Sequence, residues 1–161
     1  MKLTKTTNNE TQTAIFGKEV LADILSRWSA DIPLIFCLDG ELGSGKTRFV
    51  NGMGKALDLN INRSPTFSIM RRFAIKKTLP AEKAAGKELF FHIDCYRLSN
   101  KEEAIGIGFD KISRDPKVIV VIEWAERIKE IISKPYFNVK FEHIDKDKRK
   151  ITVEEIKNEK Y

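Results

Sequence analysis

LIFCLDGELGSGKTRFVNGMGKAL, residues 34–57, reads as three consecutive pieces of local structure. Leu34 to Leu38 is short and almost wholly apolar, as expected of a strand buried on both faces of a parallel sheet. A glycine-rich turn follows, and Lys46 to Leu57 reads as a helix. Within the turn, Gly40, Gly45, Lys46 and Thr47 match the pattern G-x-x-x-x-G-K-[ST]. That pattern carries weight only between a strand and a helix, which is where it stands here.

The residue types have physical reasons. Glycines let backbone N–H groups turn inward into an anion nest, and the following helix offers its positive N-terminal end to phosphate. Lys46 can bridge terminal phosphates, and the Thr47 hydroxyl can ligate magnesium. Residues 40–47 therefore predict a site for ATP or GTP with magnesium. Such a site needs acids facing the loop, because magnesium prefers oxygen ligands. Two stand at the ends of apolar runs, Asp94 after LFFHI and Glu123 after VIVVI. Ligands of open α/β sheets lie at the carboxyl ends of strands, so both acids are aimed at the phosphate site. One would hold the metal and the other would orient water, and the sequence leaves the division open. Thr66, in SPTF, offers a hydroxyl that can sense the terminal phosphate.

Around this core, Asn8 or Asn9 can cap a helix with Ile15, Phe16, Val20, Leu21, Ile24, Leu25 and Trp28 on one face. Thr66 to Ile75 is a possible strand, Leu79 to Gly86 an alanine-rich connection, and Leu89 to Ile93 and Val118 to Ile122 further buried strands. Lys101 to Ile107 and Ala125 to Ile132 read as helices. Tyr136 to Ile144 and Lys150 to Ile156 alternate in polarity and read as a hairpin appended to the sheet edge. The expected fold is α/β and P-loop NTPase-like: a mostly parallel sheet flanked by helices, with a C-terminal antiparallel hairpin, in one domain over residues 1–161.

Composition agrees. In 161 residues, 42% hydrophobic and 32% charged content suit a globular chain. Cys37 and Cys95, the only cysteines, sit in contexts that suggest neither a disulfide framework nor zinc. No apolar run approaches the roughly 20 residues that span a bilayer. The polar N-terminus lacks the apolar region of a secretory signal, so a cytoplasmic protein without membrane contact is expected. The net charge of +6 is uneven. Residues 71–87 hold six basic residues (Arg71, Arg72, Lys76, Lys77, Lys83, Lys87) and one acid, Glu82. That segment is either a solvated loop or a patch for nucleic acid or an acidic partner.

Taken in order, GELGSGKT, SPTF, HIDCYRL and IEW resemble the bacterial tRNA threonylcarbamoyladenosine biosynthesis ATPase family (TsaE, formerly YjeE). The resemblance runs from the first helix to about Glu126. It implies a cytoplasmic, slowly hydrolysing ATPase that acts as a switch for a threonylcarbamoyl transferase subunit and its paralogous partner, which modify the adenosine beside the tRNA anticodon. The transfer itself is not its reaction. Carried over by residue, Gly43, Ser44, Gly45, Lys46 and Thr47 would bind phosphates, and Thr47 and Glu123 would contact magnesium. Asp94 would be the acid behind the metal and Thr66 the switch threonine. Trp124 would lie near the nucleotide, and Glu10 and Thr11 near the adenine. His92, Tyr96 and Arg97 also match, as positioning or partner-contact residues. The stretch from Ala74 to Lys87 departs from the family in length and charge. It would touch tRNA or an acidic surface, or be a lineage-specific loop.

Other readings of the loop remain. A small-molecule or nucleotide kinase would also pair it with strand-end acids, but closes an arginine-bearing lid that the scattered arginines do not suggest. A small GTPase would carry an Asn-Lys-x-Asp signature, which is not found. A nucleotide-dependent assembly module with negligible turnover alone overlaps with the switch.

Overall fold

Strand β2 (Leu34–Asp39) is apolar on both faces, and both faces are covered. The computed structural model describes residues 1–65, 67–76 and 85–157. Helices α1 (Glu10–Leu25) and α2 (Lys46–Ala56) pack on one face of the sheet. There Leu34, Phe36 and Leu38 meet Phe16, Leu21, Phe49 and Met53. Ile35 and Cys37 point to the other face, into a second core with Phe109, Ala104 and Ile128. That core lies under the short helices α3 (Lys101–Gly106) and α4 (Phe109–Ile112) and a 3-10 segment, Ala125–Ile131, which kinks at Ile128. The strict alternation of β2 thus serves two cores, the pattern expected of a central strand.

The remaining strands are β1 (Lys2–Thr7), β3 (Met70–Ala74), β4 (Leu89–Asp94), β5 (Val118–Glu123), β6 (Tyr136–His143) and β7 (Arg149–Ile156). They form one sheet with β2 in the order β1-β7-β6-β2-β5-β4-β3. The centre, β6-β2-β5-β4, is parallel, and antiparallel strands flank it on each side. The expected α/β architecture and C-terminal hairpin are present. Details differ from expectation: α1 ends at Leu25, short of Trp28, and leaves Ile15 exposed, and Ala125–Ile131 is a kinked 3-10 segment where a helix was expected. β3 is confined to Met70–Ala74. The hairpin is not the sheet's edge, because β1 pairs outside β7 from Lys2↔Glu154 to Thr7↔Arg149. β1 is polar and exposed except at Thr7, so it shows none of the apolar periodicity that marks the inner strands.

Asn9 caps α1, its side chain accepting from the Gln12 amide at 2.8 Å. α1 then crosses α2 at a distance only glycine allows. A Cβ on Gly52 would lie 1.8 Å from the Ala14 carbonyl oxygen, and one on Gly17 2.2 Å from that of Phe49. Phe49 links the layers, edge-on to Phe16 at 5.9 Å and to Phe141 of β6 at 5.5 Å.

The basic segment is split. Residues 77–84, with Lys77 and Lys83, lie outside the described residues, as does most of the expected alanine-rich connection. Arg72 and Lys76 are exposed. Lys87 corrects the expectation: it is buried, and its ammonium donates to the carbonyls of Ser29 (3.3 Å), Ile32 (2.6 Å) and Pro116 (2.6 Å). Burial pushes it down to about 8, against the pull of Asp115 and Asp31. It ties together the loops that enter β2 and β5 and is not available to a surface partner.

Gly52→Ala is expected to lower stability by at least about 1–3 kcal/mol, since backbone rather than a movable side chain blocks the new methyl. A urea titration reads it, with the midpoint falling while the slope holds.

Candidate functional site

The chain leaves β2 at Asp39, turns through residues 40–45 and enters α2 at Lys46. Gly45 sits at the N-cap with φ 102°, and Gly43 has φ 75°, both in the region that favours glycine. Among the described residues no side chain caps α2, and an uncapped helix N-terminus has free N–H groups that can meet an anion. The parallel register sets Asp94 of β4 opposite Glu123 of β5, at the carboxyl ends of both strands beside the loop. A cleft of about 320 Å³ joins residues 43–47 to Asp94, Glu123, Tyr96 and Trp124.

Glu123 is the centre of this arrangement. It is buried, and its Oε1 accepts from Thr47 Oγ1 at 3.4 Å and from His92 Nε2 at 2.8 Å. His92 is two residues before Asp94, on the same face of β4, and is fully buried. Among the described residues its Nδ1 has no hydrogen-bond partner. Asp94 is also buried; its Oδ2 accepts from Ser64 Oγ at 2.8 Å and its Oδ1 from the Tyr96 amide at 3.0 Å. The two acids therefore have different partners: Glu123 faces the first turn of α2, and Asp94 faces the loop that leads to SPTF. Thr66 itself lies outside the described residues.

Lys46 bends back over its own loop. Its Nζ donates to the carbonyls of Gly40 (2.6 Å) and Glu41 (2.9 Å) and lies 4.5 Å from the centre of the Trp124 ring. Burial lowers its pKa, while Glu123, Asp94, Glu126 and Asp39 pull it up. Trp124 adopts a left-handed backbone, φ 58° and ψ 43°, that turns its ring toward the loop. Tyr96 packs on it at 5.2 Å. Arg97 is on the rim, its guanidinium 4.8 Å from the ring of the exposed Phe67.

Glu10 and Thr11 fall at the start of α1. Glu10 is ion-paired with Arg48 of α2 at 2.8 Å, and this pair borders two clefts. One is the loop cleft. The other, of about 670 Å³, is lined by Thr11, Ala14, Asn51, Lys55 and Ile61 among others. Thr66 aside, the site residues singled out in the sequence thus lie at one end of the sheet. The loop's back wall, built by the C-terminal hairpin, has no signature in the sequence. Phe141 packs against Gly40, and Arg149 packs against Gly45.

Cys37 and Cys95 are buried free thiols. Burial pushes both up to about 12, so neither is a nucleophile at neutral pH. Among the described residues, no group of three or more His, Cys, Asp or Glu side chains could hold a metal ion.

The family model described as "Threonylcarbamoyl adenosine biosynthesis protein TsaE" matches residues 7–151. The chain belongs to the TsaE family. Relatives carry the name tRNA threonylcarbamoyladenosine biosynthesis protein TsaE. That of Rickettsia felis is 32% identical over 145 residues, covering 88% of this chain and 74% of the relative. That of Bacillus subtilis is 30% identical over 125 residues, covering 77% and 71%. For Borreliella burgdorferi, 34% identity extends over 100 residues, 62% of this chain and 66% of that protein. A crystal structure of Bacillus subtilis YdiB shares the fold, with a TM-score of 0.68 at 22% identity over 95% of this chain and 84% of that one. The TsaE match reaches beyond the strand-end acids to Ile151, so it takes in β6 and the first residues of β7.

His92→Ala removes the donor held by a buried carboxylate and is expected to cost about 2 kcal/mol or more. His92→Gln, which keeps an N–H for Glu123, should recover part of it. Equal urea midpoints for wild type and His92→Ala would show that the pair carries no stability.

Proposed function

We propose that this TsaE-family protein is a cytoplasmic ATPase that binds ATP with magnesium and assists a threonylcarbamoyl transferase subunit and its paralogous partner in tRNA modification. The observation that carries the reading is the approach of Glu123 to Thr47 at the mouth of α2. Two hard oxygen donors 3.4 Å apart lie close to the ~3.0 Å edge of a magnesium octahedron with bonds of about 2.1 Å. The donor set fits magnesium, a hard cation that takes oxygen ligands.

In this reading the residues divide the work as follows. Gly43, Ser44, Gly45 and the first turn of α2 bind the phosphates through backbone N–H groups. Lys46 exchanges its carbonyl partners for phosphate oxygens. Thr47 and Glu123 would hold magnesium, and a bound ion would supply charge neutralisation at the phosphates. His92 holds Glu123 in place. Asp94 orients the attacking water, and its bond to Ser64 links it to the loop that carries Thr66, the switch residue. Trp124 lies at the phosphates, and Glu10 and Thr11 at the adenine, where the second cleft has room for base and ribose. The exposed rim of Phe67, Tyr96 and Arg97 faces the partner proteins. Of the basic segment, Arg71, Arg72 and Lys76 remain as a surface for tRNA.

The test is hydrolysis of ATP and GTP by the purified protein, alone and with the transferase pair. Stimulation by the pair is the expected result. Phosphoryl transfer to a small acceptor would instead make the protein a kinase. Lys46→Ala should weaken ATP binding about 10–100-fold, the loss of a charge-assisted bond. Glu123→Ala should lower magnesium-dependent turnover by ~10²-fold. Unchanged affinity and turnover in both variants would overturn the site.

A further inference from the structure

Arg149 opens β7, where the sequence carries no recognisable motif, yet its side chain is only 5% exposed. Among the described residues no carboxylate forms an ion pair with it. Its Nη1 donates to Thr13 Oγ1 at 3.3 Å, and its buried Nε has no partner. Thr13 gives it no negative charge. That hydroxyl donates to the Asn9 carbonyl at 3.1 Å and lies 2.9 Å from the hydroxyl of Thr7, which serves as donor to it. Thr7 and Thr13 are both fully buried. Arg149 is therefore a cation in the interior, resting on a neutral network, and burial of that kind is costly without a counter-charge.

Its position suggests the counter-charge. A Cβ on Gly45 would lie 3.1 Å from both Cδ and Nη1 of Arg149, so the arginine lies against the turn that opens α2. Because residue 45 has no side chain, the wall between the guanidinium and the loop is only one backbone thick. We propose that Arg149 is a positioning residue for the polyphosphate: it holds the Gly45 turn from behind and compensates, through that wall, the charge of an anion in the loop. This rests on the reading of residues 40–47 as a nucleotide site. It also gives the C-terminal hairpin a part in that site. The effect is electrostatic, so it must grow with the number of phosphates.

The experiment measures binding of ATP, ADP, AMP and adenosine to the full chain by calorimetry with magnesium, for wild type, Arg149→Met, Arg149→Gln and Arg149→Lys. Cooperative melting is checked for each. Arg149→Met should weaken ATP about tenfold and ADP less, and leave adenosine unchanged; Arg149→Lys should recover most of the ATP affinity. Arg149→Gln keeps a donor for Thr13 without the charge, and the same graded loss is required of it if Arg149→Met does not fold. Wild-type ATP affinity in the neutral variants would overturn the proposal, and so would an equal loss across all four ligands, the sign of mere distortion. Failure of the wild type to bind any phosphorylated ligand would instead remove the nucleotide reading itself.

Discussion

The contact of α1 with α2 through Gly17 and Gly52 is the constraint on which the site depends. Each glycine faces a backbone carbonyl of the other helix, so the two axes approach as closely as helices can. The same contact fixes three things at once. It brings the start of α1, with Glu10, over Arg48. It sets Thr13 under Gly45, and it presses Phe49 between Phe16 and Phe141. A wider crossing would part the glycine loop from its neighbours on α1, whatever the strands did.

Charge is distributed around the loop with equal economy. Glu123 and Asp94 stand on the side that opens to the cleft, and Arg149 stands behind it. Lys46 spans the opening, held by carbonyls and by an indole face. All four are nearly out of water, where their interactions are strong and their geometry counts. The backbone of residues 40–45 separates acids from arginine, so neither neutralises the other. Buried charges of opposite sign on the two sides of the turn leave a field across it, and an anion in the turn is what such a field favours.

Much of this was legible in the chain. The strand, turn and helix of residues 34–57 are local events, written in apolar runs and glycine spacing, and the structure returns them almost residue for residue. The acids Asp94 and Glu123 were legible because each ends an apolar run, and strand ends have one possible direction in a parallel sheet. What escaped depends on contacts distant in sequence. β1 is a polar edge strand that pairs with β7, some 150 residues away, and nothing in KLTKTT announces it. Lys87 and Arg149 look like surface cations in a basic chain. Their burial follows from carbonyls and hydroxyls on other elements, which composition cannot supply.

The two tryptophans stand at opposite ends of the sheet. Trp28 packs on Phe137 and donates to the Pro33 carbonyl, just before β2 begins. Trp124 follows the far end of β5, with an ammonium over its face and a tyrosine beside it. The chain thus has two built-in optical reporters of different sensitivity. Emission from Trp28 follows the integrity of the packed layers, and emission from Trp124 follows the whereabouts of a single lysine. Replacing Trp28 with phenylalanine would leave a protein whose tryptophan emission, excited selectively over its three tyrosines, comes from beside the glycine loop.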